Sequence, residues 1–308
     1  MKKLLNIDGG GVRVYFSLLI LNYIEEKTNK KIIDLFDYFS GVSASSIVLS
    51  GLLTKYSVKE MLTIFKELST KIFYRSYYHM LTSGLGLFDS KYSDYNINSE
   101  LQLLFAGYKL GDCKKPLNIL TYDLESSKAV CFYSYKDIKG IVSKTNLELP
   151  GYDLWKVIRC STAAPTYFQP FVLGNYNLID GGGVTNNLSE LTFVDALEHF
   201  GRDEEYIQVS IGTGCHNTKF NCAPTGLWSW SGSIVDIFFA ASSSYEMISL
   251  DKISKFENLK KFHRIDIELI DEIKLDDCTS YDKMTEIFEL WVQCNRDYLD
   301  TVCEDLLK

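Results

Sequence analysis

Several features are scarce or missing in this sequence of 308 residues. Only five prolines and four histidines occur, and none of the eight cysteines forms a C-x-x-C pair. No run approaches about 18 uninterrupted apolar residues, so no membrane span is expected. The apolar stretch Leu4, Leu5, Ile7 before Asp8 is too short for a signal-peptide core, which leads us to expect a cytoplasmic protein with reduced thiols. Cys215, His216 and Cys222 match no standard zinc spacing, and no metal is expected. There is no basic excess either: 32 Lys and Arg stand against 40 Asp and Glu, a net charge of −8. That balance does not suit a protein that grips nucleic-acid phosphates. The acidic excess lies in residues 265–308, with 13 acidic and 4 basic side chains, and reads as a solvated helical face.

What is present is a globular composition, 46% hydrophobic, arranged in a βα rhythm. Strands are expected at Leu4–Ile7, Leu35–Phe39, Leu117–Tyr122, Ala129–Tyr135, Tyr176–Ile179, Tyr206–Ile211 and His263–Ile267. Helices are expected at Val12–Lys27, Ala44–Leu53, Val58–Phe73, Tyr152–Thr162, Ser189–Phe200 and Gly232–Phe256, with a last one carrying Met284 to Val302. Residues 76–98 read as a long surface loop. With no repeat and no linker, the expectation is one α/β domain over 1–308. Its motif-bearing core covers about 4–214, and its acidic helical C-terminal part about 265–308.

Three motifs fall at strand ends. Asp8-Gly9-Gly10-Gly11-Val12-Arg13 lets the backbone turn several N–H groups toward a phosphate or an oxyanion at a helix start. It lacks the Lys-Ser/Thr of a P-loop and the spacing of a dinucleotide fingerprint. Gly41-Val42-Ser43-Ala44-Ser45 has the context of a nucleophile elbow, although a serine-rich helix cap explains it as well. Asp180-Gly181-Gly182-Gly183 places a carboxylate after a strand, on the edge that bears Ser43 if the two strands are parallel. An Asx-turn is the plainer account of that aspartate.

None of His79, His199, His216 and His263 has a position that marks it as a triad member. A Ser–Asp dyad therefore fits better than Ser–His–Asp. Reading Asp8–Gly11 and Gly212–Gly214 as the phosphate loops of an actin-like kinase leaves the Ser43 elbow unexplained.

Taken in order, these residues resemble the patatin-like phospholipases. The family's D-G-G-G-x-R matches Asp8–Arg13, its G-x-S-x-G matches Gly41–Ser45, and its D-G-G/A matches Asp180–Gly182. Lys91–Ser93, Tyr122–Glu125, Ser161–Phe168, Asn186-Asn187 and Ile211–Gly214 look like further blocks of that family. The resemblance implies a three-layer α/β/α fold with a mostly parallel central sheet. It also implies cofactor-free hydrolysis of acyl esters in phospholipids or other acyl lipids, with transient contact at a membrane surface. Under it Ser43 is the nucleophile and Asp180 the base. Backbone N–H groups of Gly9, Gly10, Gly11 and Ala44 make the oxyanion hole. Arg13 either holds the glycine loop or meets a lipid phosphate, and loop-holding is the reading we adopt.

This chain departs from the family pattern at Val14 and, in the elbow, at Ser45 and Ser46, where glycines are usual. Serine is small enough to substitute with a modest shift, and Ser45→Gly is expected to change stability by under about 1 kcal/mol. The departure keeps open a non-catalytic lipid-binding or regulatory protein on the same fold. A transacylase that uses the same acyl-serine is a variant of the enzyme reading. Tyr77, Tyr78, Leu85, Leu87, Phe88, Trp228 and Trp230 suit either an interfacial lid or packing of loops onto the core.

Overall fold

The computed structural model describes residues 1–76, 89–135, 151–216, 234–253, 255 and 258–308, without the side chains of 216, 234–240, 243 and 253. The loop aromatics named above lie outside the described residues.

Strands alternate with helices from the first residues on. In chain order the described strands are β1 (Lys2–Ile7), β2 (Tyr38–Val42), β3 (Leu117–Asp123), β4 (Lys128–Tyr133), β5 (Phe171–Leu173) and β6 (Tyr176–Asp180). They continue with β7 (Tyr206–Ile211), β8 (Cys215–His216), β9 (Leu259–Ile265) and β10 (Glu268–Leu269). Eight of them form one sheet in the order β5-β6-β3-β2-β1-β7-β9, with β4 also on β3, while β8 and β10 pair separately. The run β3-β2-β1-β7-β9 is parallel.

The period-2 alternation of β1 explains the layers. Leu5 and Ile7 point into the larger core, which includes residues of helices Val14–Thr28, Ala44–Thr54, Val58–Ile72 and Tyr281–Leu307. Leu4 points to the opposite face and a smaller core with Phe193, Ala196 and Leu250 from helices Ser189–Phe200 and Ile234–Ile253. Asn6 shares that second face, where its Nδ2 donates to Ser210 Oγ at 2.9 Å and to Asn187 Oδ1 at 3.2 Å. With both faces covered, the central strands are buried along most of their length, and polar residues such as Asn6, Gln208 and Ser210 bond to one another or to neighbouring groups. The result is a three-layer α/β/α fold.

Three expectations shift. The strand expected at Leu35–Phe39 starts at Tyr38, because Glu25 accepts the Ile32 N–H at 2.8 Å and Ile32–Leu35 close a helical turn. The loop expected over 76–98 gives way to a helix at Asp94–Phe105. Ser93 caps it, accepting the Tyr95 N–H at 3.3 Å, and Ile97, Leu101 and Phe105 are its buried residues. The last strand of the main sheet runs Leu259–Ile265 rather than His263–Ile267.

The approach of β6 is the largest correction. It is antiparallel to β3, so Asp180 does not reach the site on a strand parallel to that of Ser43. Since β4 occupies one flank of β3 over Asn118–Asp123, β2 and β6 must share the other flank. There Val42 of β2 is level with Leu120, and Asp180 of β6 is level with Thr121. The two strands run head-on and end on adjacent rungs.

Candidate active site

The glycine turn begins where β1 stops. Asp8 is buried and accepts two hydrogen bonds from Arg264, at 3.0 Å from Nη1 and 2.6 Å from Nη2. Arg264 also donates to Asp266 at 2.8 Å and to Ser210 Oγ at 2.8 Å. Burial on its own would lower the pKa of this guanidinium, but the carboxylates of Asp8 and Asp266 outweigh it and raise the pKa. Asp8 is therefore an anchor for the turn.

Next in the chain, the Gly9 carbonyl accepts Asn186 Nδ2 and Thr213 Oγ1, each at 2.9 Å. Its N–H donates to the Asn186 carbonyl at 3.3 Å, and Gly9 does not line the cavity described below. Gly9 is thus removed from the expected set of oxyanion donors, since its N–H is already used. Gly11 sits at φ 55° with the Leu275 carbonyl where a Cβ would be, so no other residue fits without a shift. Among the described residues the N–H groups of Gly10, Gly11 and Ala44 find no backbone or side-chain acceptor, and all three residues line the cavity.

The elbow follows β2. Ser43 has φ 57° and ψ −135°, a strained conformation for a residue with a Cβ. Its N–H donates to Ser161 Oγ at 2.8 Å, and Ser161 Oγ in turn donates to the Leu120 carbonyl at 2.7 Å. Ser45 is not a passive replacement for glycine. Its Oγ accepts the Val42 N–H at 2.9 Å and shares its proton between the carbonyls of Ile7 (2.9 Å) and Val42 (2.8 Å). Space for it comes from Gly41, where a Cβ would lie 2.9 Å from Ser45 Oγ and 2.8 Å from Leu49 Cδ1. The close strand–helix approach that the family pattern assigns to a glycine at 45 is carried by Gly41. Ser46 Oγ donates to the Ser43 carbonyl at 2.6 Å.

Asp180, 3% exposed, closes the arrangement. Its N–H donates to the Ala163 carbonyl at 3.1 Å, and Oδ1 accepts the Gly182 N–H at 2.8 Å. The Asx-turn reading is therefore correct as geometry, yet the same carboxylate lines one cavity with Ser43, whose hydroxyl acts on its pKa. Burial raises its pKa to about 6, against the hydrogen bonds from Ser43 and Gly182 that pull it down. Segment Ser161–Ala163 thus touches both partners, holding Ser43 by a side chain and Asp180 by a carbonyl. The sequence had shown Ser161 in a recognisable block but offered no role for it.

The described histidine side chains lie elsewhere. His263 Nε2 is 3.0 Å from Asp305, and the His199 ring lies 4.4 Å from that of Tyr135. His79 and the side chain of His216 lie outside the described residues. Arg13 is half-buried and does not line the cavity.

Above Ser43 opens a cavity of about 210 Å³ with an apolar wall that includes Ile47, Phe65, Leu68, Ile72, Tyr167 and Phe168. Ser43, Asp180, Gly10, Gly11 and Asn186 make its polar end. The order is that of an apolar slot closed by a hydroxyl, a carboxylate and backbone donors. The family model for patatin-like phospholipase matches residues 5–193, which carry all of these polar groups. The chain belongs to the patatin-like phospholipase family.

Its relatives are of two kinds. Patatin-like protein 4 of Arabidopsis thaliana is 26% identical over 89% of this chain and 78% of its own length. Calcium-independent phospholipase A2-gamma of Rattus norvegicus is 27% identical over 89% of this chain but 36% of its own length. Intracellular phospholipase A2 of Caenorhabditis elegans is 28% identical over 68% of this chain and 19% of its own length. The chain thus spans most of the plant relative and about a third or less of the two animal phospholipases. Among the described residues no helix is long and apolar enough to cross a membrane.

Proposed function

We propose that this chain is a serine acyl hydrolase of phospholipids or related acyl lipids, of the phospholipase A or lysophospholipase type, working through Ser43 and Asp180. The observation that carries the reading is the convergence of Ser43, directly after the end of β2, and the buried Asp180, at the end of β6 one rung away, on an apolar slot lined by the free N–H groups of Gly10, Gly11 and Ala44.

In the first step Ser43 Oγ attacks the ester carbonyl while its proton passes to Asp180. An ordinary aspartate with a pKa near 3.9 is a weak base for an alcohol. Burial lifts Asp180 to about 6, which strengthens it while leaving it about nine-tenths ionised at pH 7. The carbonyl oxygen takes the negative charge and is met by the N–H groups of Gly10, Gly11 and Ala44. Such a donor is worth about 3–4 kcal/mol of barrier in a well-studied protease. Collapse breaks the ester C–O bond, and the proton on Asp180 goes to the departing alkoxide, giving a lysolipid or an alcohol. Water then attacks the acyl-serine with Asp180 taking its proton, and the fatty acid leaves as Ser43 is regenerated.

The apolar wall suits an acyl chain, and the chain reaches its substrate by transient contact with a lipid surface. Leu275, from the acidic C-terminal part, also lines the cavity, which supports reading residues 1–308 as one catalytic domain. Mass spectrometry after fluorophosphonate treatment tests the proposal. The expected result is a single adduct on Ser43, lost in Ser43→Ala together with hydrolysis of p-nitrophenyl butyrate. Retained hydrolysis by a clean Ser43→Ala preparation, or labelling elsewhere only, would overturn the assignment.

A further inference from the structure

One dipeptide touches two walls of the cavity that are far apart in sequence. Leu275 and Asp276 lie between β10 and the terminal helix, beyond the span that matches the family. The Leu275 carbonyl accepts the Val12 N–H at 2.8 Å, directly after the free donors of Gly10 and Gly11. That carbonyl also occupies the space beside Gly11, and the Leu275 side chain lines the cavity.

Asp276 faces the other way. Its carboxylate, only 7% exposed, accepts the Lys91 ammonium and the Tyr92 hydroxyl, the latter at 2.5 Å. Lys91 and Tyr92 then donate their backbone N–H groups to the carbonyls of Thr166 (2.9 Å) and Tyr167 (3.0 Å). The Tyr92 ring stacks on Tyr167 with centroids 6.2 Å apart. Tyr167 and Phe168 belong to the aromatic wall of the cavity. Thr166 has φ 72°, a conformation that persists only under restraint from its surroundings.

We infer that Leu275–Asp276 is a clasp that sets the oxyanion loop and the aromatic wall relative to each other, with Asp276 as a positioning residue for acyl transfer. The inference rests on the function proposed above. Oxyanion donors are effective only when held within hydrogen-bond reach of the developing charge before the reaction. A loop of three glycines has little stiffness of its own, and the Val12–Leu275 hydrogen bond is its tie on the side opposite Gly9. Displacement by about 1 Å costs on the order of a hundredfold in rate.

The test uses the full chain and the variants Asp276→Ala, Asp276→Asn, and Lys91→Met combined with Tyr92→Phe. Kinetics are read on p-nitrophenyl butyrate, and hydrogen exchange is read on peptides covering residues 10–13 and 165–168. Asp276→Ala should lower kcat about ten- to a hundredfold with KM within about threefold, and should speed exchange in both peptides while β7 is unchanged. Asp276→Asn keeps an acceptor for Tyr92 and should stay within about fivefold of wild type. Adding Asp276→Ala to the Lys91/Tyr92 double variant should cost nothing further. Wild-type kcat and exchange in a folded Asp276→Ala protein would overturn the clasp, as would faster exchange spread evenly over the sheet. If the wild type itself neither hydrolyses the ester nor labels at Ser43, the proposed function fails. Exchange at the two peptides then decides the clasp by itself, faster exchange supporting it and unchanged exchange overturning it.

Discussion

Replacing Asp180 by asparagine should make this protein more stable and remove its activity. In the folded chain the carboxyl is buried and its pKa is raised from 3.8 to about 6. The ionised form is therefore disfavoured by folding, and a difference of about 2 pKa units corresponds to about 3 kcal/mol at pH 7. Asparagine is neutral, nearly the same size, and still accepts the Gly182 N–H. Allowing for an imperfect fit of its amide against Ser43, the net gain should be about 1–3 kcal/mol, or about 2–5 °C in thermal midpoint. The sign with pH follows from a folded pKa above the unfolded one. The penalty on the wild type is fully present above pH 6, shrinks as the acid is protonated, and is absent below about pH 4. Urea denaturation of both proteins at intervals from pH 4 to pH 8 measures the gap, and ester hydrolysis is assayed in parallel. The reasoning is refuted if Asp180→Asn is no more stable than wild type at pH 7, or if the gap stays constant down to pH 4. A variant that keeps more than about a thousandth of wild-type turnover would also show that Asp180 is not the base.

The same geometry makes two other expectations sharp. Ser45→Gly removes the acceptor of a buried N–H and the donor to a buried carbonyl, and adds glycine to a helix. It should cost about 2–4 kcal/mol, measured by urea denaturation, rather than the less than about 1 kcal/mol that residue size suggests. His199→Gln and His263→Gln should each leave turnover on a short ester within about tenfold, because both side chains have partners away from the site. A loss of three orders of magnitude in either would point to a triad.

Much of this site was legible in the sequence, and the part that was not has a common cause. Ser43 and Asp180 could be read because each follows a short apolar strand and precedes small residues, a local pattern. Gly10 and Gly11 could be read for the same reason. Arg264, Leu275 and Asp276 could not, since each acts on a residue more than 180 positions away and nothing local marks it. The use of the Gly9 N–H depends on Asn186, and the worth of Ser45 on the end of β1, both again at a distance. The direction of β6 depends on register: β3 is long enough to pair with β2 and then with β6 on one flank. The helix Asp94–Phe105 is hard to read because Tyr, Ser, Asp and Asn mask a four-residue spacing of Ile97, Leu101 and Phe105.

Strands that meet head-on give the molecule an unusual freedom in its middle third. Val42, the residue before Ser43, and Asp180 are set one rung of β3 apart, a ruler about 3.3 Å long that does not depend on the length of chain that joins them. Turns along that stretch are therefore outside the measurement. The turn between β3 and β4 exposes Glu125, Ser126 and Ser127 to solvent, so chain added there would hang from the rim of the sheet and leave the ruler unchanged. The stretch that joins Ser43 to Asp180 can therefore grow at this turn without moving the ends of β2 and β6 apart.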